Sequence, residues 1–362
     1  MSYVLAFVGF AALIVLHEFG HFAAAKAVGM RVERFALFFP PIIAKVRRGE
    51  TEYGLGAVPL GGYVKITGMN PNEDIPEEVA HRAYYRQPVW KRIVVISAGP
   101  AMNFLIAFGI LWSLFVFRGA ATDVTTTKIN SISKDAPAAG VLERGDVLLS
   151  VDGVGGGAER LRAQIATHRC LGLQRDACRA EEPATLVVRR DGRRQTLEVT
   201  PRYDKEGLRP LIGFAFAPEL KKAGPAAAVG KSISGMWSVT RATVTAITKI
   251  FYDSKARKEV SGVVGSYETT RSVINTFGFI DALNILAIIS LSLAVVNLFP
   301  FLPLDGGHIF FAVAEKLRRG RAVSLQTMER ASVVGFALVA VLFFIGLSND
   351  IGRLQGEGFR IR

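Results

Sequence analysis

Four stretches of this 362-residue chain are long and apolar enough to cross a bilayer, at residues 3–28, 92–117, 279–311 and 331–347, since a crossing helix needs about 20 such residues. Backbone inside hydrocarbon has to pair with itself or face protein or water, so these spans are read as helices. The third stretch is longer than one crossing requires, and Pro300 and Pro303 are expected to break it. Hydrophobic residues make up 50% of the chain and the mean hydropathy is +0.30. That is too polar for a protein made only of membrane helices, so at least one water-exposed domain is expected.

The formal charge is +13. Lys26, Arg31, Arg34, Lys45, Arg47 and Arg48 crowd the exit of the first span, and Lys316, Arg318, Arg319 and Arg321 lie between the third and fourth. Basic loops stay cytoplasmic, which leaves both termini and the central segment outside. No zinc-finger, RNA-binding or basic-zipper pattern occurs, so the basic balance points to the lipid bilayer and not to nucleic acid. The first span carries no Lys or Arg before Lys26 and so lacks the basic start of a secretory signal; it reads as a retained span.

Between the first two spans, residues 49–68 read as a hairpin of two short strands joined by Pro and Gly. Such a hairpin either dips into the membrane and offers its edge to another strand or is an ordinary cytoplasmic one. Residues 122–203 change to short β-branched runs with a turn at Asp191-Gly192, the pattern of a small soluble β-rich domain. Residues 230–251 suit a helix with one apolar face, lying on the membrane or beneath that domain. The only two cysteines, Cys170 and Cys178, exclude a Cys-ligated zinc site, and either a disulfide or two free thiols is compatible with them.

The first span contains Leu13-Ile-Val-Leu-His-Glu-Phe-Gly-His-Phe22. On a helix His17 and His21 lie one turn apart on one face, so both rings reach a single metal ion, with Glu18 beside a water on it. This is the HExxH spacing, and ionisable groups inside a span mark function by default. A catalytic metal needs a third protein ligand at the same depth. His81 lies in the cytoplasmic loop and His168 in the soluble domain, whereas Asp305 and His308 stand on the broken third span, and coordination chemistry allows either.

Together the motifs resemble the site-2 protease family of intramembrane zinc metalloproteases, specifically the bacterial group that releases sigma factors by cutting anti-sigma proteins. The likeness covers nearly the whole chain. It implies zinc as cofactor on His17, His21 and Asp305, Glu18 as the catalytic base, and Asn297 as a contact to substrate backbone. Pro59-Leu-Gly-Gly-Tyr-Val-Lys65 resembles the family's membrane-reentrant β-loop and implies that substrate pairs along Gly54, Gly56, Pro59, Leu60, Gly61 and Gly62. Ala98-Gly-Pro-Ala-Met-Asn-Phe104 resembles the start of its second span and Asn349-Asp350 part of its last. Residues 135–153 resemble a bacterial PDZ pattern, which implies a groove for a peptide or protein tail that restricts access to the site. Val263 stands where the family usually has proline.

The expected architecture is a polytopic α-helical membrane protein of about four transmembrane helices, with a membrane-reentrant β-hairpin and an inserted extracytoplasmic PDZ-like β-rich domain. Its parts are expected at 1–29 (first helix), 30–90 (cytoplasmic loop with hairpin), 91–118 (second helix), 119–206 (PDZ-like domain), 207–278 (linker with amphipathic helix), 279–323 (broken third helix), 324–348 (fourth helix) and 349–362 (tail). The expected activity is cleavage of transmembrane segments of single-span proteins such as anti-sigma factors, and of signal-peptide remnants, in the bacterial inner membrane with the site towards the cytoplasm. The rivals are a non-catalytic PDZ membrane adaptor or chaperone and a metal or proton transporter. Glu18 beside two histidines favours hydrolysis over both.

Overall fold

The computed structural model describes residues 1–70, 73–133, 135–170, 176–204, 209–321 and 323–355. The chain divides into two units, Met1–Phe115 with Gly224–Arg362, and Val116–Ala223.

The membrane unit begins with α1 (Ser2–Ala27), apolar on all sides as a lipid-embedded helix has to be. It continues into β1 (Val32–Arg48) and β2 (Thr51–Ile66), which pair with each other. Each strand folds back on itself, so the pair makes four segments. Residues 34–37 lie between 52–55 on one side and 62–65 on the other, and 42–48 pair the far side of 51–56. The sequence reading found strands only from residue 49. The stretch Val32–Arg48, with Phe35, Phe38, Phe39, Ile42 and Ile43, is rich in strand-forming residues that were read there for their flanking charge.

Contacts with α1 fix where the hairpin lies. The Phe22 ring is 5.3 Å from Phe35 and 5.9 Å from Tyr53, Gly62 rests on Glu18 and Ile14, and Phe38 is 6.1 Å from Phe7. From Phe22 to Phe7 is fifteen residues of helix, about 22 Å at 1.5 Å per residue. The turn end is held at the close of α1, where Glu50 accepts from Arg82 Nη1 at 2.6 Å and Nη2 at 2.9 Å and from Lys26 Nζ at 2.5 Å. The Arg82 hydrogen bonds, assisted by Lys26, hold the Glu50 carboxyl down to about 2. A short helix, α2 (Glu77–Ala80), leads to α3 (Val89–Phe117).

The second unit contains β3 (Ala120–Ile132), β4 (Val147–Val151), β5 (Val154–Gly155), α4 (Ala158–Ile165), β6 (Ala184–Arg190), β7 (Arg193–Val199), β8 (Arg202–Asp204), β9 (Arg209–Leu211) and β10 (Phe214–Lys221). Its main sheet has the order β10-β3-β4-β6-β7 with β5 added to β4, and β8 pairs β9 separately. Alternating Leu186 and Val188 of β6 meet Leu161 of α4, Leu148 and Phe216 in one buried core. Asp191 and Gly192 take φ +49° and +80° at the β6–β7 turn, the positive pair a two-residue hairpin needs. The unit runs to Ala223 and not to residue 206 because β10 returns to pair β3, from Phe214 opposite Ile132 to Lys221 opposite Ala120. Cys170 and Cys178 form a disulfide.

Back in the membrane unit follow α5 (Pro225–Ile250), α6 (Ser254–Glu259), α7 (Val263–Phe277), α8 (Phe279–Asn297), α9 (Asp305–Leu317) and α10 (Leu325–Gln355). Met236 and Val239 of α5 pack on Ala107 and Leu111 of α3 and on Ala287 and Leu291 of α8. The third apolar stretch breaks after Asn297 and resumes as helix at Asp305. The last helix continues past residue 348 because its end is anchored. Asn349 Nδ2 donates to the carbonyls of Arg257 and Val260, and the wholly buried Asp350 accepts from the N–H groups of Gly262 at 3.0 Å and Gly265 at 2.7 Å. Among the described residues four helices are long and apolar enough to cross a membrane: α1, α3, α8 and α10.

In the second unit Asp146 is buried and accepts from the Glu143 N–H and from Arg190 Nε and Nη2 at 2.8–2.9 Å. Burial raises its pKa, but Arg190 and the Glu143 N–H outweigh that and leave it below the ordinary 3.8. A depressed folded pKa means that its stabilisation is present above the unfolded value and lost as pH falls through the folded one. Asp146→Ala removes the buried acceptor, while Arg190 keeps Glu143 and the Val141 carbonyl, and is expected to destabilise this unit by about 1–3 kcal/mol at neutral pH, read by proteolytic susceptibility in denaturant, with the difference from wild type shrinking as pH falls through the folded pKa.

Candidate metal centre

Three helices converge on one buried point. His17 Nε2 and His21 Nε2 are 3.3 Å apart, and each lies 3.4 Å from Asp305 Oδ2. The histidines come from one face of α1, one turn apart. Asp305 is delivered by the first turn of α9, where Gly306 and Gly307 let the helix start approach the preceding turn. A Cβ on Gly306 would lie within 2.3 Å of the Leu298 and Phe299 carbonyl oxygens. Without those two glycines Asp305 would stand off from the histidines.

The triangle fits a metal. Bonds of about 2.0–2.1 Å at tetrahedral angles space ligand atoms about 3.3–3.4 Å apart, the spacing seen. Asp305 Oδ2 is buried with no hydrogen-bond partner, an orphaned acceptor aimed at two ring nitrogens. His17, His21 and Asp305 each offer one ligand atom, all within 4.8 Å. Both histidines are buried and Asp305 is half-buried.

The rings are held from behind by α3. His21 Nδ1 donates to the Val95 carbonyl at 2.9 Å, and His17 Nδ1 lies 3.1 Å from the Asn103 amide. Gly99 makes room between these contacts, since a Cβ there would fall 2.2 Å from His21 Nε2. Glu18 stands on the hairpin side of α1, its Cγ against Gly62. The segment Gly61–Lys65 thus turns an edge to the site.

The other sequence-derived residues fall as follows. Asn297 is half-buried at the end of α8, one residue before the turn that seats α9. Gly62 touches Glu18, and Gly61 lies under the Phe39 ring. Gly54 is an inner position, flanked by Ala36 and Lys45, and Gly56 opposes Ile42 with the Phe38 and Phe39 carbonyls close by; neither presents a free edge. The side chains of Pro59 and Leu60 lie outside the described ones. His308 is outside the cluster. Sequence reasoning quoted Asn103 and Gly99 within a motif without giving them a role; the signal available was an amide inside an apolar span.

Two imidazoles and one carboxylate leave a fourth position open on a tetrahedral ion, and a glutamate stands next to it. With both histidines on a helix long and apolar enough to cross a membrane, this donor set fits a metal-dependent hydrolase. The model of Peptidase family M50 matches residues 5–342, and the chain belongs to that family: it is an integral membrane metalloendopeptidase, a hydrolase of peptide bonds. Zinc metalloprotease Rip1 of Mycobacterium tuberculosis is 30% identical, with 84% of this chain and 83% of that protein covered. A protein of Rhizobium meliloti, named as a candidate zinc metalloprotease, is 31% identical over 95% of this chain and 94% of its own length. The PDZ domain of an SdrC-like protein from Listeria innocua is 19% identical, covering 26% of this chain and 96% of that domain, with a TM-score of 0.21.

The close seat of His21 yields a test. Gly99→Ala puts a methyl group where the ring lies and is expected to cut metal affinity roughly 10–100-fold in an otherwise folded protein, measured as metal content after dialysis against graded chelator.

Proposed function

We propose that the chain is a zinc-dependent intramembrane endopeptidase that cuts single-span membrane proteins, such as anti-sigma factors, within their transmembrane segments. The observation that carries this reading is the ligand triangle of His17, His21 and Asp305 with Glu18 beside it at the hairpin edge. Bound to the three ligands, zinc would polarise the scissile carbonyl and acidify a water. Glu18 takes the proton of the attacking water and returns it to the leaving amine. Asn297, at the end of α8, is positioned in the chain to hold substrate backbone beside Asp305.

A transmembrane helix hides its carbonyls, so a substrate must unwind before it can be cut, and its freed backbone groups then need partners. The edge of Gly61–Lys65 supplies them by strand addition. In this reading the hairpin is membrane-reentrant, supported by its contacts with α1 from Phe22 back to Phe7 and by outward-facing Phe39, Ile43 and Val46. The basic residues after α1 and between α9 and α10 support a cytoplasmic side for those loops; in this reading the metal lies on the cytoplasmic side of the inner membrane and the β-rich unit outside. That unit is PDZ-like: β10 ends its sheet, and a peptide tail would add along β10 near Arg162, whose guanidinium lies 5.3 Å from the Phe216 ring.

Purified wild type in liposomes is expected to cut a tagged single-span substrate within its span. Glu18→Gln should lower the rate by about 10²–10⁴-fold with zinc retained, and a chelator should abolish cleavage. Intact substrate in every case, with zinc bound, would sink the protease reading. For the hairpin, a cysteine at Val58 should be shielded from a membrane-impermeant maleimide in inverted vesicles while one at Arg48 reacts. Equal labelling would return the hairpin to the cytoplasm.

A further inference from the structure

We infer that Asn103 is a positioning residue that fixes the proton of His17 on Nδ1 and so keeps Nε2 free to bind the metal. This rests on the ligand set proposed above and goes beyond it by one shell of contacts.

A neutral imidazole carries its proton on one nitrogen and a lone pair on the other. The Nε2 atoms of His17 and His21 face Asp305 Oδ2, so for both rings to bind a metal there, both protons must sit on Nδ1. For His21 the tautomer is imposed by the Val95 carbonyl at 2.9 Å, which can only accept. For His17 the atom placed 3.1 Å from Nδ1 is Nδ2 of the Asn103 amide, wholly buried on α3, and a half turn of that amide puts Oδ1 in its place. The two contacts are matched. Val95 and Gly99 of α3 meet His21, and Asn103, one helical turn beyond Gly99, meets His17.

An amide, unlike a carbonyl, can serve either tautomer, since its oxygen and nitrogen have nearly the same shape and exchange places by a half turn. With the proton on Nδ1, only Oδ1 satisfies His17, and Oδ1 as placed is buried without a hydrogen-bond partner. The amide is therefore free to present its oxygen. Its backbone is not free to drift: Ser290 of α8, itself wholly buried, donates to the Asn103 carbonyl at 3.0 Å. Asn103 thus ties the ring of a ligand on α1 to α3 and α8. An orienting acceptor behind a ligating histidine also raises the basicity of the ligand.

The alternative is an ordinary interhelical amide contact, which would leave zinc affinity untouched. Zinc dissociation constants by chelator competition separate the two. Asn103→Leu, similar in volume without an acceptor, is expected to bind zinc roughly 10–100-fold more weakly; Asn103→Asp, which keeps an acceptor, should stay within about threefold of wild type. Wild-type affinity in both variants overturns the inference. If both lose zinc or fail to fold, the zinc-loaded wild type decides. With 15N-labelled histidine it should show a slowly exchanging Nδ1–H signal assigned to His17 as well as one for His21, and absence of the His17 signal overturns the inference. Failure of wild type to bind zinc at all would fall on the ligand set itself, so the two failures remain distinct.

Discussion

Two imidazoles and a carboxylate are buried between apolar helices, and the rest of the membrane unit follows from making that tolerable. An ionised carboxylate in apolar surroundings at membrane depth is costly, and Asp305 Oδ2 faces the two imidazoles. Their mutual spacing of 3.3–3.4 Å leaves no room for a protein group in the middle. A cation is the partner that satisfies all three.

The break in the third apolar stretch serves the same end. A continuous helix from residue 279 to 317 would point Asp305 wherever the helical period put it. By stopping α8 at Asn297 and restarting at Asp305, the chain instead sets a carboxylate in the first turn of a new helix, where the helix dipole favours negative charge. The hairpin answers a second need of the same chemistry. In the proposed mechanism its backbone would pair with an unwound substrate; Gly62 lies within contact of Glu18, and the ion pairs of Glu50 with Arg82 and Lys26 hold the turn at the end of α1. At the opposite end of the unit, Asp350 and Asn349 tie α10 to the start of α7, and α7 reaches back to α1 through the Tyr267 hydroxyl, which donates to the Tyr3 carbonyl.

What was legible in the sequence is what depends on local pattern. Four apolar runs, the HExxH spacing and the Asp191-Gly192 turn are statements about neighbours in the chain. The choice of Asp305 over His308 was not local: coordination chemistry left it open and the resemblance decided it, while in the structure the seating of Gly306 and Gly307 on the preceding turn brings Asp305 to the histidines. Long-range pairing was the harder part. β10 looked like linker because the β3 residues it pairs lie 82 to 101 positions earlier, and Val32–Arg48 looked like a basic loop because its strand character shows only when it pairs β2. Gly54 and Gly56 were assigned to a substrate-facing edge since a linear motif does not reveal which segment of a folded-back hairpin lies inside. Asn103 carries no local sign of its role, because its partner is eighty-six residues away on another helix.

The most direct test of the account is the zinc X-ray absorption spectrum of the reconstituted protein. The account predicts a four-coordinate site with two imidazoles and two oxygens at about 2.0–2.2 Å and no sulfur, with one imidazole lost on His17→Ala and one oxygen on Asp305→Ala. A six-coordinate oxygen shell, or a spectrum that neither substitution changes, would contradict it.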